Sequence, residues 1–206
     1  MDEFLFGEWS APFRVRLLGD STLQTGYWAN KQSYQLGVKI LEPLGLKNAS
    51  FVAEFNAVRP FTYGHSNATQ SYTNANQPLA HPLGSNFIEW VQITTWQPGK
   101  FKFGLFTTYS RKGFTNSIAV MGDDVLISNT ERDLGQREYG NFMLQGRRVD
   151  VANIRLNAGY ELVSQWNLRL DATIYYRLER SAVKTNEMVF FGLGLSTALW
   201  NNYLNL

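Results

Sequence analysis

The chain has 206 residues, a formal net charge of +2 and no cysteine, which allows one sizeable domain and excludes disulfides and thiolate metal sites. So small a charge excess, mixed along the chain, carries neither the basic footprint of a nucleic-acid binder nor an acidic tail. No apolar run approaches the roughly 20 residues of a membrane helix, whereas a mean hydropathy of −0.25 remains compatible with membrane strands, whose two unlike faces average out.

The start, Met1-Asp2-Glu3-Phe4, lacks the basic and apolar regions of an export leader. An exported chain with this start begins after a removed leader or inside a longer protein. A first strand is expected within 13–27. Residues 34–41 then set Leu36, Val38 and Ile40 against Gln35, Gly37 and Lys39, turn through Pro43-Leu44-Gly45 and return over 50–59. A second hairpin runs over 87–96, turns at Pro98-Gly99 and returns over 101–109, with Phe101, Phe103 and Leu105 opposed to Lys102 and Gly104.

The clearest alternation follows. In 153–163, Ile154, Leu156, Ala158, Tyr160 and Leu162 share one face, and Arg155, Asn157, Gly159 and Glu161 the other. In 167–179, Leu168, Leu170, Ala172, Ile174, Tyr176 and Leu178 oppose Arg169, Asp171, Thr173, Tyr175, Arg177 and Glu179. A period of two means strands with one apolar and one highly polar face. The last strand is expected over 188–200, with Val189, Phe191, Leu193, Leu195 and Leu199 opposite Gly192, Gly194, Ser196 and Ala198.

Short turns follow the strands ending near Leu41, Trp96 and Val163, and longer polar loops follow those ending near Tyr63, Arg111 and Glu179. Alternating short and long connections are the asymmetry of outer-membrane barrels, tight on the periplasmic side and long outside. Aromatics gather at both ends, Trp96, Phe101, Trp166, Trp200 and Tyr203 at the short turns and Tyr63, Tyr109, Tyr175, Tyr176, Phe190 and Phe191 nearer the long loops. That is where membrane interfaces hold such rings. The fold expected over residues 1–206 is therefore all-β, an antiparallel up-and-down transmembrane β-barrel with about eight strands in this chain, closed alone or as part of a larger barrel. The rival is a soluble barrel or sandwich whose apolar faces point inward; the charged strand faces fit a wet lumen better.

Chemistry-bearing residues are sparse. The histidines are His65 and His81, without the spacing of a metal ligand set. No nucleophile elbow, phosphate-binding glycine loop or zinc motif is present, so neither an enzyme nor a cofactor is expected. A lipase-like Ser66/His65 pair lacks an orienting group, and the acidic pair Asp123-Asp124 suits a solvated turn. The most informative loop, residues 64–85, gathers amides, hydroxyls and tyrosines, the groups that hydrogen-bond and stack on sugars. Its candidate glycan-binding residues are Tyr63, Tyr72, Asn74, Asn76, Gln77 and His81.

The stretches Asn56-Ala57-Val58-Arg59-Pro60-Phe61-Thr62-Tyr63, Ser71-Tyr72-Thr73-Asn74 and Asn76-Gln77-Pro78-Leu79-Ala80-His81-Pro82-Leu83-Gly84-Ser85-Asn86-Phe87 resemble the capsule-assembly Wzi family. The likeness is to its Bacteroidetes branch, which includes gliding-motility outer-membrane proteins. Phe4-Leu5-Phe6-Gly7-Glu8-Trp9 and Ala198-Leu199-Trp200-Asn201-Asn202-Tyr203 resemble that branch too, and residues 77–87 are the most specific part. The resemblance implies the C-terminal part of a larger barrel in the outer membrane of a Gram-negative cell. There it would associate with outer-membrane lipid and with capsular or other surface polysaccharide, and help attach or assemble it. The alternative is a structural or interaction subunit of a gliding-motility or secretion apparatus, its loops binding other envelope proteins. A diffusion porin and a membrane esterase are the remaining rivals.

Overall fold

The computed structural model describes residues 26–116, 120–129 and 138–197. Seven long strands form one antiparallel sheet: β1 (Ser33–Leu41), β2 (Ala49–Val58), β5 (Phe87–Trp96), β6 (Phe101–Phe114), β7 (Arg147–Val163), β8 (Leu168–Ser181) and β9 (Thr185–Ser196). Each pairs with the next along the chain, as expected of a meander whose neighbours are joined by hairpins. Two short strands, β3 (Thr73–Asn74) and β4 (Gln77–Pro78), make a separate hairpin in the loop between β2 and β5. Among the described residues the sheet is open, with β1 and β9 at its edges. The strand expected within 13–27, and the end of the last strand at 198–200, lie outside the described residues.

Register decides the faces, because partners directly opposite each other project to the same side. One such row reads Ile40, Phe51, Thr94, Leu105, Leu156, Ile174 and Phe191 from β1 to β9. The row two residues nearer the long loops reads Val38, Ala53, Gln92, Thr107, Ile154, Tyr176 and Val189. The next reads Leu36, Phe55, Trp90, Tyr109, Ala152, Leu178 and Glu187. Apart from Glu187 at the edge, the polar members, Gln92, Thr94 and Thr107, hydrogen-bond to one another.

Among the described residues no second layer covers this apolar face: Leu36 is 72% and Leu193 83% exposed. On β8 it runs from Leu170 to Leu178, about 27 Å at about 3.4 Å per residue. Aromatics bound it, Trp90 and Tyr109 on the long-loop side and Trp96, Phe103, Phe101 and Tyr160 on the other. Phe101 lies 4.9 Å from Tyr160 and Trp96 5.8 Å from Phe103, centroid to centroid.

The opposite face is polar and internally bonded. Asn153 donates to Thr108 at 2.8 Å and accepts from Tyr175 at 2.8 Å and Arg177 at 3.2 Å, and Arg177 reaches Glu179 at 3.0 Å. Asp171, Ser196 and Arg169 form a second group nearer the short turns. Tyr175 stands on this side, the polar face on which the alternation puts it, paired with Phe190 across β8 and β9, so neither ring adds to the aromatics of the apolar face.

One connection departs from expectation. The link from β8 to β9 is Ala182-Val183-Lys184 rather than a long loop, closed by Ser181 N–H donating to Lys184 O at 2.9 Å. The polar residues on either side of it extend the two strands and are paired, Arg180 with Thr185 and Glu179 with Asn186. Among the described connections, long loops therefore follow only β2 and β6.

Candidate functional site

The two long loops, residues 59–86 and the described parts of 115–146, fold together over the end of the sheet. Phe61 N–H donates to Gly122 O at 2.8 Å, Ser85 N–H to Asp123 O at 3.3 Å, and Asn129 N–H to His65 O at 3.1 Å. Side chains add to this: Asn129 Nδ2 bonds Gly64 O at 2.9 Å and Ser128 Oγ bonds Ser66 O at 2.5 Å. Gly122 has φ +71°, and a Cβ there would lie 2.7 Å from Phe61, so glycine lets the two loops touch. Asn141 and Glu138 tie the second loop to the chain before β1, through Gly26 and Trp28.

At the base of this cap sits Asn86, fully buried beside the fully buried Phe87. Its Nδ2 donates to Gly113 O and Gln145 O, both at 2.9 Å, and its Oδ1 accepts from Leu144 N–H at 2.7 Å. Gln145 repeats the device, donating to Met121 O at 2.9 Å and accepting from Phe142 N–H at 3.2 Å. Buried polar groups must find partners or cost stability, and these amides serve loops that have no ladder of their own. Lys31 donates to Gly64 O at 2.5 Å, and burial holds its ammonium below the usual lysine range.

The sequence-derived candidates divide. Tyr63 and Tyr72 come together, their rings 6.2 Å apart and inclined at 38°, with Tyr72 57% exposed. Tyr72 N–H donates to Tyr63 O at 3.0 Å and Leu79 N–H to Tyr72 O at 3.1 Å, which seats the β3–β4 hairpin beside the ring pair. Ala75 and Asn76 turn that hairpin with φ of 48° and 59°, the paired positive values of a two-residue type I′ connection. Asn74, Asn76 and Gln77 are all exposed there. The result is an aromatic surface with amides beside it.

His81 is held elsewhere. Its Nε2 lies 2.9 Å from Glu89 Oε2, its Nδ1 accepts from Leu83 N–H at 3.1 Å, and its ring stacks on Phe87 at 4.5 Å. With Nδ1 accepting, the proton sits on Nε2 and points at the carboxylate. Glu89 also accepts from Asn56 Nδ2 at 3.3 Å, and Asn56 bonds Glu54 at 2.8 Å, so His81 anchors the loop to the polar face of the sheet. The sequence missed Glu89, Asn86, Asn129, Asn141 and Gln145 as organisers of the cap. Ser66 Oγ lies 3.3 Å from His65 Nδ1, a nitrogen that also accepts from Asn67 N–H at 3.2 Å. Asp123 is no solvated turn residue: it is buried and accepts from both Thr115 N–H, at 2.8 Å, and Thr115 Oγ1, at 2.5 Å. Among the described residues no cluster of His, Asp and Glu could hold a metal ion, and no helix is long and apolar enough to cross a membrane. Compared with known proteins, the chain matches no family model and no curated sequence.

Proposed function

We propose that this chain is wall and cap of an outer-membrane β-barrel that holds surface polysaccharide, capsule-like in the sense of the family it resembles, at the tip of its first long loop. The observation that carries the membrane part is the apolar sheet face, left uncovered over a breadth of seven strands. Soluble monomers rarely leave apolar patches beyond a few hundred Å², whereas barrel walls turn such a band to lipid and a polar face inward. Strands beyond the seven described would complete the closure, since an open edge is not tolerated in hydrocarbon.

The polysaccharide part rests on the Tyr63–Tyr72 ring pair and the exposed Asn74, Asn76 and Gln77 beside it. A pyranose ring can stack on Tyr72 while the amides bond its hydroxyls. Each net hydrogen bond contributes only about 1 kcal/mol, so retention comes from many repeats of one polymer engaging many barrels. The test replaces Tyr72, Asn74, Asn76 and Gln77 together with alanine and measures capsule retained on cells with matched barrel levels. Loss of capsule with unchanged barrel is expected. Unchanged retention would falsify the glycan role and favour a protein-binding subunit of a gliding or secretion apparatus.

A further inference from the structure

Just beyond the Trp90–Tyr109 edge of the apolar face, charge replaces apolar side chains over three adjacent strands. Arg111, Asp150 and Arg180 stand opposite one another on β6, β7 and β8, and Arg148 lies on the same face two residues before Asp150. Neighbouring strands run about 4.8 Å apart, so the backbones of Arg111 and Arg180 flank Asp150 within roughly 10 Å of each other. Arginine side chains bridge that span.

The carboxylate is already engaged. Arg111 reaches Asp150 through Nε at 2.5 Å and Nη2 at 3.1 Å, and the Tyr109 hydroxyl donates to it at 3.2 Å. Arg148 and Arg180 are exposed, and Arg148 uses Nε on Leu144 O at 3.2 Å. On the same row β1, β2 and β5 carry Tyr34, Ala57 and Ile88, so among the described strands the positive charge of this row lies on β6 and β8. Among the described residues the other nearby acid on this face is Glu187, diagonal to Arg180 at the edge strand.

We infer that Arg148 and Arg180, with the Arg111–Asp150 pair between them, clamp the phosphate of an outer-leaflet lipid headgroup. This rests on the membrane reading above. Planar guanidinium forks match phosphate oxygens in geometry as well as charge. The neighbouring apolar band supplies the surface along which the same lipid's acyl chains lie. A lipid therefore meets both halves of its own chemistry within one or two residue rows.

The test uses the chain refolded into phosphatidylcholine vesicles doped with phosphatidic acid, extracted into mild detergent, with retained lipid counted by native mass spectrometry. The wild-type chain should keep phosphatidic acid. Arg148→Gln combined with Arg180→Gln should weaken that retention about 30-fold, the usual contribution of two arginines at an anionic surface. Equal retention overturns the clamp, as does displacement by inorganic phosphate at a concentration equal to the lipid's, which would mark an ion site. Insertion is scored separately in phosphatidylcholine alone, by protection of the strands from protease. If both proteins insert but retain the lipid equally, the clamp fails and the membrane reading stands. If neither inserts, the membrane reading fails and the clamp with it.

Discussion

Asn86 uses its amide as a stand-in for backbone, giving two N–H groups to the carbonyls of Gly113 and Gln145 and taking the N–H of Leu144 where water has no access. It also sits at φ 61°, a left-handed conformation that asparagine tolerates better than most residues. Asn86→Ala removes all three bonds and should destabilise the folded cap by about 3 kcal/mol, read as a lower urea midpoint for the refolded chain. Asn86→Asp should be no milder, because it sets a carboxylate against two carbonyl oxygens. A wild-type midpoint in the alanine variant would remove Asn86 from this role. Its importance was not legible beforehand: an asparagine in a polar loop looks like any other, and its partners lie 27 and 59 positions away. The loop tyrosines and exposed amides were legible because composition alone marks them. In the sequence His81 looks like a ligand group, because its partner, Glu89, becomes its neighbour only when β5 is placed.

At the scale of the strand, β8 offers the sharpest test of facing. Ile174 lies midway between Leu170 and Leu178 and stands opposite Leu156 and Phe191. In the proposed barrel, Ile174→Arg puts a charge at the middle of the band that would face lipid and should cost roughly 2–4 kcal/mol of membrane stability. Leu170→Arg, next to the aromatic edge at Tyr160, should cost visibly less, and Asp171→Asn on the polar face least. Unfolding titrations in vesicles would rank the three, and equal losses would contradict the outward assignment. The strands themselves were readable where their two faces differ, as in β1, β7 and β8. Beyond the apolar band that contrast fades while backbone pairing continues. Thus residues 147–152 and 180–187 read as loop although most of them sit in ladders. Gln92, Thr94 and Thr107 blur the pattern in β5 and β6 for a different reason, since they set polar side chains inside the apolar face itself.

For the molecule as a whole, the meander was legible from hairpins and alternation, but the cap was not, since nothing local announces that two loops 115–146 and 59–86 will share bonds. The orientation can be tested directly. In the proposed topology, cysteines at Asn74 and Asp124 should react with an impermeant maleimide on intact cells, and cysteines at Lys47 and Gln165 only after the outer membrane is opened. The reverse pattern would invert the barrel. The same topology gives the cap a role during biogenesis. Its bonds join distant residues, Gly26 with Asn141, Gly64 with Asn129 and Asn86 with Gln145, so they form only once the intervening strands are in register. In the proposed topology both loops would cross the bilayer as unfolded chain, because their buried amides have no partners until they meet outside. Once joined, they would be too bulky and too polar to slip back. The cap would then act as a one-way latch, turning a reversible threading of strands into a committed insertion.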